Sequence, residues 1–147
     1  MKEQFKFKLE KHSTRSTIDS HVNGSLTVIW RDWDQILKNN PKMVYVSSVE
    51  SGEIKGPHIH TKRDSYFTCI HGKVIFVLKM NDGKFLEIES DAENPVMVYV
   101  PKNIASAHIN LSHSTSTILT LADLAWKPND QEMKNTTFQD YDWKKWN

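Results

Sequence analysis

Residues 52–72 read GEIKGPHIHTKRDSYFTCIHG, and His58 and His60 in that run decide how the rest of the chain is read. Residues two apart on a strand project from the same face, so a strand here aims both imidazoles together. Such a pair suits two kinds of chemistry. It binds a metal through ring nitrogens, or one ring acts as a general base near neutral pH while its neighbour fixes its tautomer. Beyond Arg63, the residues Ser65, Phe67, Cys69 and His71 alternate with Tyr66, Thr68 and Ile70 up to Gly72. That alternation predicts a second strand, with the Ser65 set facing inward.

Outward from this run the same period of two recurs. Strands are expected at Phe5–Leu9, Ser25–Trp30, Met43–Val49, Lys73–Lys79, Phe85–Glu89, Pro95–Val100, His108–Leu111 and Thr117–Leu121, with a turn at Asp82-Gly83. Many short strands separated by turns argue for an all-β sandwich or barrel of the jelly-roll type. Trp33 to Asn39, closed by Pro41, is the one stretch predicted to be helical, for a turn or two. The tail from Asn129 turns from polar to aromatic at Phe138, Tyr141, Trp143 and Trp146, so it is expected to dock on the barrel.

The bulk numbers set limits. A chain of 147 residues fits one domain, here residues 1–147 with 129–147 as the docked tail. A net charge of +1 gives no electrostatic reason to expect nucleic acid or an anionic membrane as partner. The single cysteine, Cys69, allows no disulfide within the chain and suits a reducing cytoplasm. The N-terminus has no apolar stretch of signal-peptide length, and the longest apolar run, Val74 to Leu78, is too short to span a membrane. His12, His21 and His113 lie in polar contexts and read as surface residues. His71 and Cys69 read as structural.

The spacing carries a resemblance. Gly52, five residues, His58-Ile59-His60, four residues, Ser65, six residues and Gly72 resemble the first cupin motif. Pro101-Lys102-Asn103, two residues, Ser106, three residues and Asn110 resemble the second. Ser65 stands where metal cupins carry Glu, and Ser106 where they carry His. Asn103 replaces Gly at a turn, where both tolerate the left-handed conformation. The resemblance implies the cupin fold, a double-stranded β-helix forming a jelly-roll barrel.

Within the cupins the chain is similar to the sugar-nucleotide branch, the dTDP-4-dehydrorhamnose 3,5-epimerases and dTDP-sugar 3,4-ketoisomerases. The likeness rests on Lys55–Thr61, Cys69–Gly72, Gly24–Ile29, Val44–Val46 and the ending Asp140–Trp146. It implies proton abstraction next to the ketone of a nucleotide-activated 4-keto-6-deoxyhexose, in cell-surface glycan synthesis. His58 takes the position of the base and His60 its partner; Tyr45, Tyr66 and Tyr99 are the candidate acids. Near Thr120, where the epimerases carry a tyrosine, this chain has none. Lys55, Arg63, Ser65, Tyr45, Tyr99 and His108 are the expected substrate contacts, Lys62 a further diphosphate contact, and Trp30, Trp126 or Trp143 the platform for a base. No cofactor is implied; a metal, if one bound, would use His58, His60 and His108. The expected partners are a nucleotide sugar and a second copy of the chain, joined through the Phe5–Leu9 strand. Two other readings stay open: a cupin that binds a sugar without turning it over, and a metal-dependent cupin enzyme.

Overall fold

Alternation of buried and exposed side chains along short strands builds two five-stranded antiparallel sheets packed face to face. The computed structural model describes residues 2–147. In chain order the strands are β1 (Lys6–Lys8), β2 (Lys11–Arg15), β3 (Val22–Thr27), β4 (Met43–Val49), β5 (Ile54–His60) and β6 (Ser65–His71). They continue as β7 (Lys73–Lys79), β8 (Phe85–Asp91), β9 (Val96–Val100), β10 (Ala105–Asn110), β11 (Ser116–Ala122) and β12 (Met133–Asn135). One sheet has the order β1-β9-β6-β11-β4 and the other β12-β5-β10-β7-β8, while β2 and β3 form a separate hairpin. This is the all-β cupin barrel that the motif spacing implies. No helix among the described residues is long and apolar enough to cross a membrane.

The unbroken apolar run of β7 has a reason on each face. Val74, Phe76 and Leu78 enter the core between the sheets. Ile75 and Val77 lie on the other face with Ala105, Ala107 and Ile109 of β10, beneath Phe138. Tyr141, Trp143 and Trp146 pack on the same cluster. Trp146 Nε1 donates to the Tyr141 hydroxyl at 2.8 Å, and that hydroxyl donates to Glu87. The alanines of β10 leave room for these rings.

Two expectations change. Residues 33–39 form turns, because the Asp34 carboxylate accepts from the Arg31 backbone N–H at 2.8 Å and from its guanidinium. Such side-chain-to-backbone bonds compete with helix formation. The arrangement seats Ile36 and Leu37 on the core. β1 pairs with β9 of its own chain, Lys6 opposite Val98 and Phe7 opposite Met97, and forms one edge of its sheet. Ser65 and Cys69 are buried and Phe67 packs on the core, but a register irregularity between Thr117 and Ile118 breaks the alternation before His71, which is exposed.

Candidate active site

Strand β5 carries the histidine pair into the barrel. His58 and His60 share the inner face, whereas Ile59 between them joins the cluster outside. At Gly56 (φ +88°) the chain passes so close to β10 that a Cβ would lie 2.8 Å from the Ser106 carbonyl oxygen. Only glycine allows that approach, and β5 takes an extra residue here, with Ser106 opposite His58 but His108 opposite Lys55. β10 itself stays regular against β7, so Ser106 and His108, two apart, both face the cavity. Asn103 holds φ 70° at the turn before β10, and its N–H donates to the His60 carbonyl at 2.7 Å.

The cavity measures about 170 Å³ and is lined by Tyr45, Ser47, Lys55, His58, His60, Arg63, Phe67, Ser106, His108 and Met133. A second hollow of about 280 Å³ shares His60, Arg63 and Met133 with it and continues past Trp126, Asn129 and Gln131. The cavity thus opens towards an exposed tryptophan (65 % accessible).

Hydrogen bonds fix the two imidazoles differently. His58 Nδ1 lies 3.0 Å from Asn135 Oδ1 on β12. His60 Nδ1 lies 2.9 Å from Glu132 Oε1, and its Nε2 lies 3.2 Å from Arg63 Nη2. A guanidinium only donates, so His60 Nε2 accepts and the ring proton sits on Nδ1, donated to Glu132. Burial holds this imidazole below its ordinary pKa; the Glu132 hydrogen bond opposes that shift and the Arg63 charge adds to it. His60 is therefore neutral and its lone pair is occupied. His58 has no such competitor at Nε2 among the described residues.

Arg63, expected as a substrate contact, lines the cavity but is itself buried at 7 % exposure. Its Nη2 also donates to the Tyr45 hydroxyl at 3.3 Å, and its Nε lies 3.7 Å from Glu132 Oε1 without a hydrogen-bond partner. Lys55 Nζ donates to the Ser48 carbonyl at 3.1 Å beside the cavity. His108 is half-buried against Phe76, its Nε2 buried and unpartnered and its pKa pushed down to about 4, chiefly by desolvation. Ser65 and Thr120 also carry buried hydroxyls without partners.

Other candidates fall outside. Tyr99 and Tyr66 stack on each other at 4.8 Å on the opposite face of the sheet. The Tyr99 hydroxyl donates to Asp64 and the Tyr66 hydroxyl accepts from the Lys38 backbone. Tyr99 was an expected substrate contact; paired with Tyr66 across β6 and β9 it faces away from the cavity. Lys62 is exposed, Trp30 packs on the core and Trp143 on the tail cluster. The Cys69 thiol is buried, which pushes its pKa up to about 11. The sequence reading missed Glu132, Met133 and Asn135, because β12 is a polar three-residue strand with no periodicity of its own.

The histidine pair does not suit a metal ion. The lone pair of His60 that an ion needs is taken by Arg63, and a buried guanidinium stands where the ion's charge would sit. Among the described residues no three His, Cys, Asp or Glu side chains group as metal ligands.

Residues 8–143 match the sequence profile of FdtA, described as WxcM-like, C-terminal. The chain belongs to this family. A search of curated proteins gives no match. Among solved structures the FdtA-family chain resembles QdtA, a sugar 3,4-ketoisomerase from Thermoanaerobacterium thermosaccharolyticum in complex with TDP. The identity is 20 % over 89 % of this chain and 88 % of that one, with a TM-score of 0.66. It resembles a dTDP sugar isomerase from Desulfovibrio desulfuricans G20 at 12 % identity, over 91 % of this chain and 86 % of that one, with a TM-score of 0.73. It also resembles CapF, a capsular polysaccharide assembling protein from Staphylococcus aureus, at 17 % identity and TM-score 0.61, over 66 % of this chain. The match spans only 27 % of the CapF chain. At these identities the likeness establishes the fold.

Proposed function

We propose that this FdtA-family chain is an isomerase or epimerase of a nucleotide-activated, dTDP-linked 4-keto-6-deoxyhexose, acting in cell-surface glycan synthesis in the cytoplasm. The observation that carries the reading is the juxtaposition of His58, its Nε2 free, with a buried guanidinium and a tyrosine hydroxyl in one small cavity. Enolisation next to a ketone needs a base, a donor for the developing oxyanion and an acid. His58 removes the proton from the carbon beside the carbonyl. The electron pair moves onto the ketone oxygen, giving an enediolate, and a proton returns to carbon. The Tyr45 oxygen accepts from Arg63, which leaves its own O–H to donate towards the substrate.

The cavity suits a sugar ring; the hollow beside it suits the nucleotide. Trp126 is the exposed ring there, so it replaces Trp30 and Trp143 as the platform for the base. Lys55 and Arg63 supply positive charge for the diphosphate or the ketone oxygen. The names of QdtA and of the Desulfovibrio isomerase support the substrate class. A second copy of the chain is the proposed partner, supported by edge strand β4, where Val44 and Val46 are 57 % and 58 % exposed.

The test is deuterium exchange. The protein is mixed with dTDP-4-keto-6-deoxyglucose in deuterated water and the ring protons are followed by NMR. Deuterium at carbon 3 or carbon 5, lost in His58→Asn, is the expected result, and its position together with the product formed tells epimerase from ketoisomerase. Binding of the nucleotide sugar without exchange overturns the enzyme reading for this substrate and favours a binding cupin.

A further inference from the structure

We infer that Glu132 is a positioning residue: through the neutral His60 imidazole it holds the Arg63 guanidinium as the group that receives the oxyanion in this cavity. The inference rests on the enolisation reading above, but its geometry stands on its own.

Glu132 is 3 % exposed, a rare environment for a carboxylate unless it is well partnered. Each of its oxygens has a task. Oε1 accepts from His60 Nδ1 at 2.9 Å and faces Arg63 Nε at 3.7 Å; Oε2 accepts from the Lys62 backbone N–H at 3.3 Å. The carboxylate thus balances the buried cation and sets the imidazole proton on Nδ1. With Nδ1 protonated, Nε2 presents its lone pair to Arg63 Nη2 at 3.2 Å. The opposite tautomer would place an N–H against a guanidinium N–H, and the contact would break.

Arg63 is therefore gripped from two sides, by His60 and by Tyr45, and still has donors to spare. A guanidinium has five N–H groups. Nη2 uses two, Nε has no hydrogen-bond partner, and Nη1 makes no hydrogen bond among the described residues. Nε is turned to the Glu132 carboxylate, so the donor left for an anionic oxygen forming beside Arg63 in the cavity is Nη1. A pre-oriented cation stabilises that oxygen more than it stabilises the neutral ketone. His60 in this arrangement exchanges no proton with the substrate. Its work is to transmit the orientation set by Glu132, and His58 alone is the base of the pair.

Two measurements test the relay. The first is the ¹⁵N spectrum of the His60 imidazole, read without substrate, in the native protein, Glu132→Gln and Glu132→Leu. The native ring is expected with the proton on Nδ1 and Nε2 unprotonated. Glu132→Gln, whose amide oxygen still accepts, is expected to keep that form, and Glu132→Leu to lose it. A native ring protonated at Nε2 overturns the relay. The second is turnover of the keto sugar. Arg63→Met is expected to lower kcat by about 10²-fold. Glu132→Gln is expected to lower kcat about tenfold with KM within about twofold, the size of one charge-assisted hydrogen bond. Unchanged kcat in Glu132→Gln, or a loss confined to KM, overturns the positioning role. Because the spectrum needs no sugar, native protein that exchanges no deuterium overturns the substrate reading and leaves the spectrum to judge the relay.

Discussion

His58 Nδ1 and Asn135 Oδ1 lie 3.0 Å apart, joining two strands that are 77 residues apart in sequence. The bond places the ring proton on Nδ1 and turns Nε2 into the cavity, with the Asn135 amide oxygen as the acceptor.

Removing that acceptor frees the ring. Asn135→Ala is expected to lower the rate of deuterium exchange about tenfold, the value of one oriented hydrogen bond, with the fold retained because Asn135 is exposed. Asn135→Asp keeps an acceptor at the same place and is expected to keep most of the rate. Equal rates in Asn135→Ala and the native protein would show that the bond does not orient the base.

His108 links acidity to stability. Its pKa falls from 6.5 to about 4 in the folded protein, chiefly through burial. As pH drops below about 6.5 the unfolded chain takes up a proton that the folded chain refuses until about pH 4. Stability due to this group is therefore full at pH 7 and is lost between those values, by up to about 3 kcal/mol. His60, also shifted downward, adds in the same direction. Urea unfolding at pH 7 and pH 4.5 should show a steeper loss in the native protein than in His108→Gln. An identical loss in both would mean that His108 is protonated in the folded state.

Trp126 is the proposed platform for the nucleotide's base. Base stacking on an exposed ring contributes about 1–3 kcal/mol, so Trp126→Ala should weaken dTDP binding by about tenfold or more in calorimetric titration. Exchange at the sugar under saturating substrate should persist, because Trp126 lies outside the inner cavity. Undiminished dTDP affinity would put the base elsewhere.

The outward valines of β4 test the second copy. Placing charge on them, as Val44→Lys with Val46→Lys, should convert a sedimenting dimer to monomer while far-ultraviolet circular dichroism stays unchanged, since both side chains face solvent. A native protein that sediments as a monomer at micromolar concentration removes the partner proposal.

Much of the site follows from local period. The spacing of His58 and His60, and of Ser106 and His108, puts each pair on one face whatever the rest of the chain does. Asn103 at φ 70° bears out the left-handed turn read from its motif position. Tyr99 shows where period fails: β9 is buried along its whole length, so alternation there does not tell inside from outside. Arg63 sits next to Lys62, and two adjacent basic residues by themselves suggest an exposed stretch. Its burial depends on Glu132, 69 residues further along, and no local pattern encodes that pairing. The same holds for β12, whose only reason to be a strand is the free edge of β5. Residues 33–39, closed by Pro41, suit a short helix as well as turns, and the Asp34 bonds decide for turns.

The lateness of β12 in the chain has a consequence for biosynthesis. A ribosome releases residues in order, so β5 with both histidines is made long before Glu132 and Asn135 exist. Until those residues arrive, the β5 edge is an open row of backbone donors and acceptors, and Arg63 has no counter-charge. The two sheets can form first around the core that β7 fills, but the proposed site assembles only when residues 132–135 close over it. A nascent chain that ends before β12 therefore exposes the β5 edge, and the aromatic rings that follow β12 pack on the outer cluster beside it.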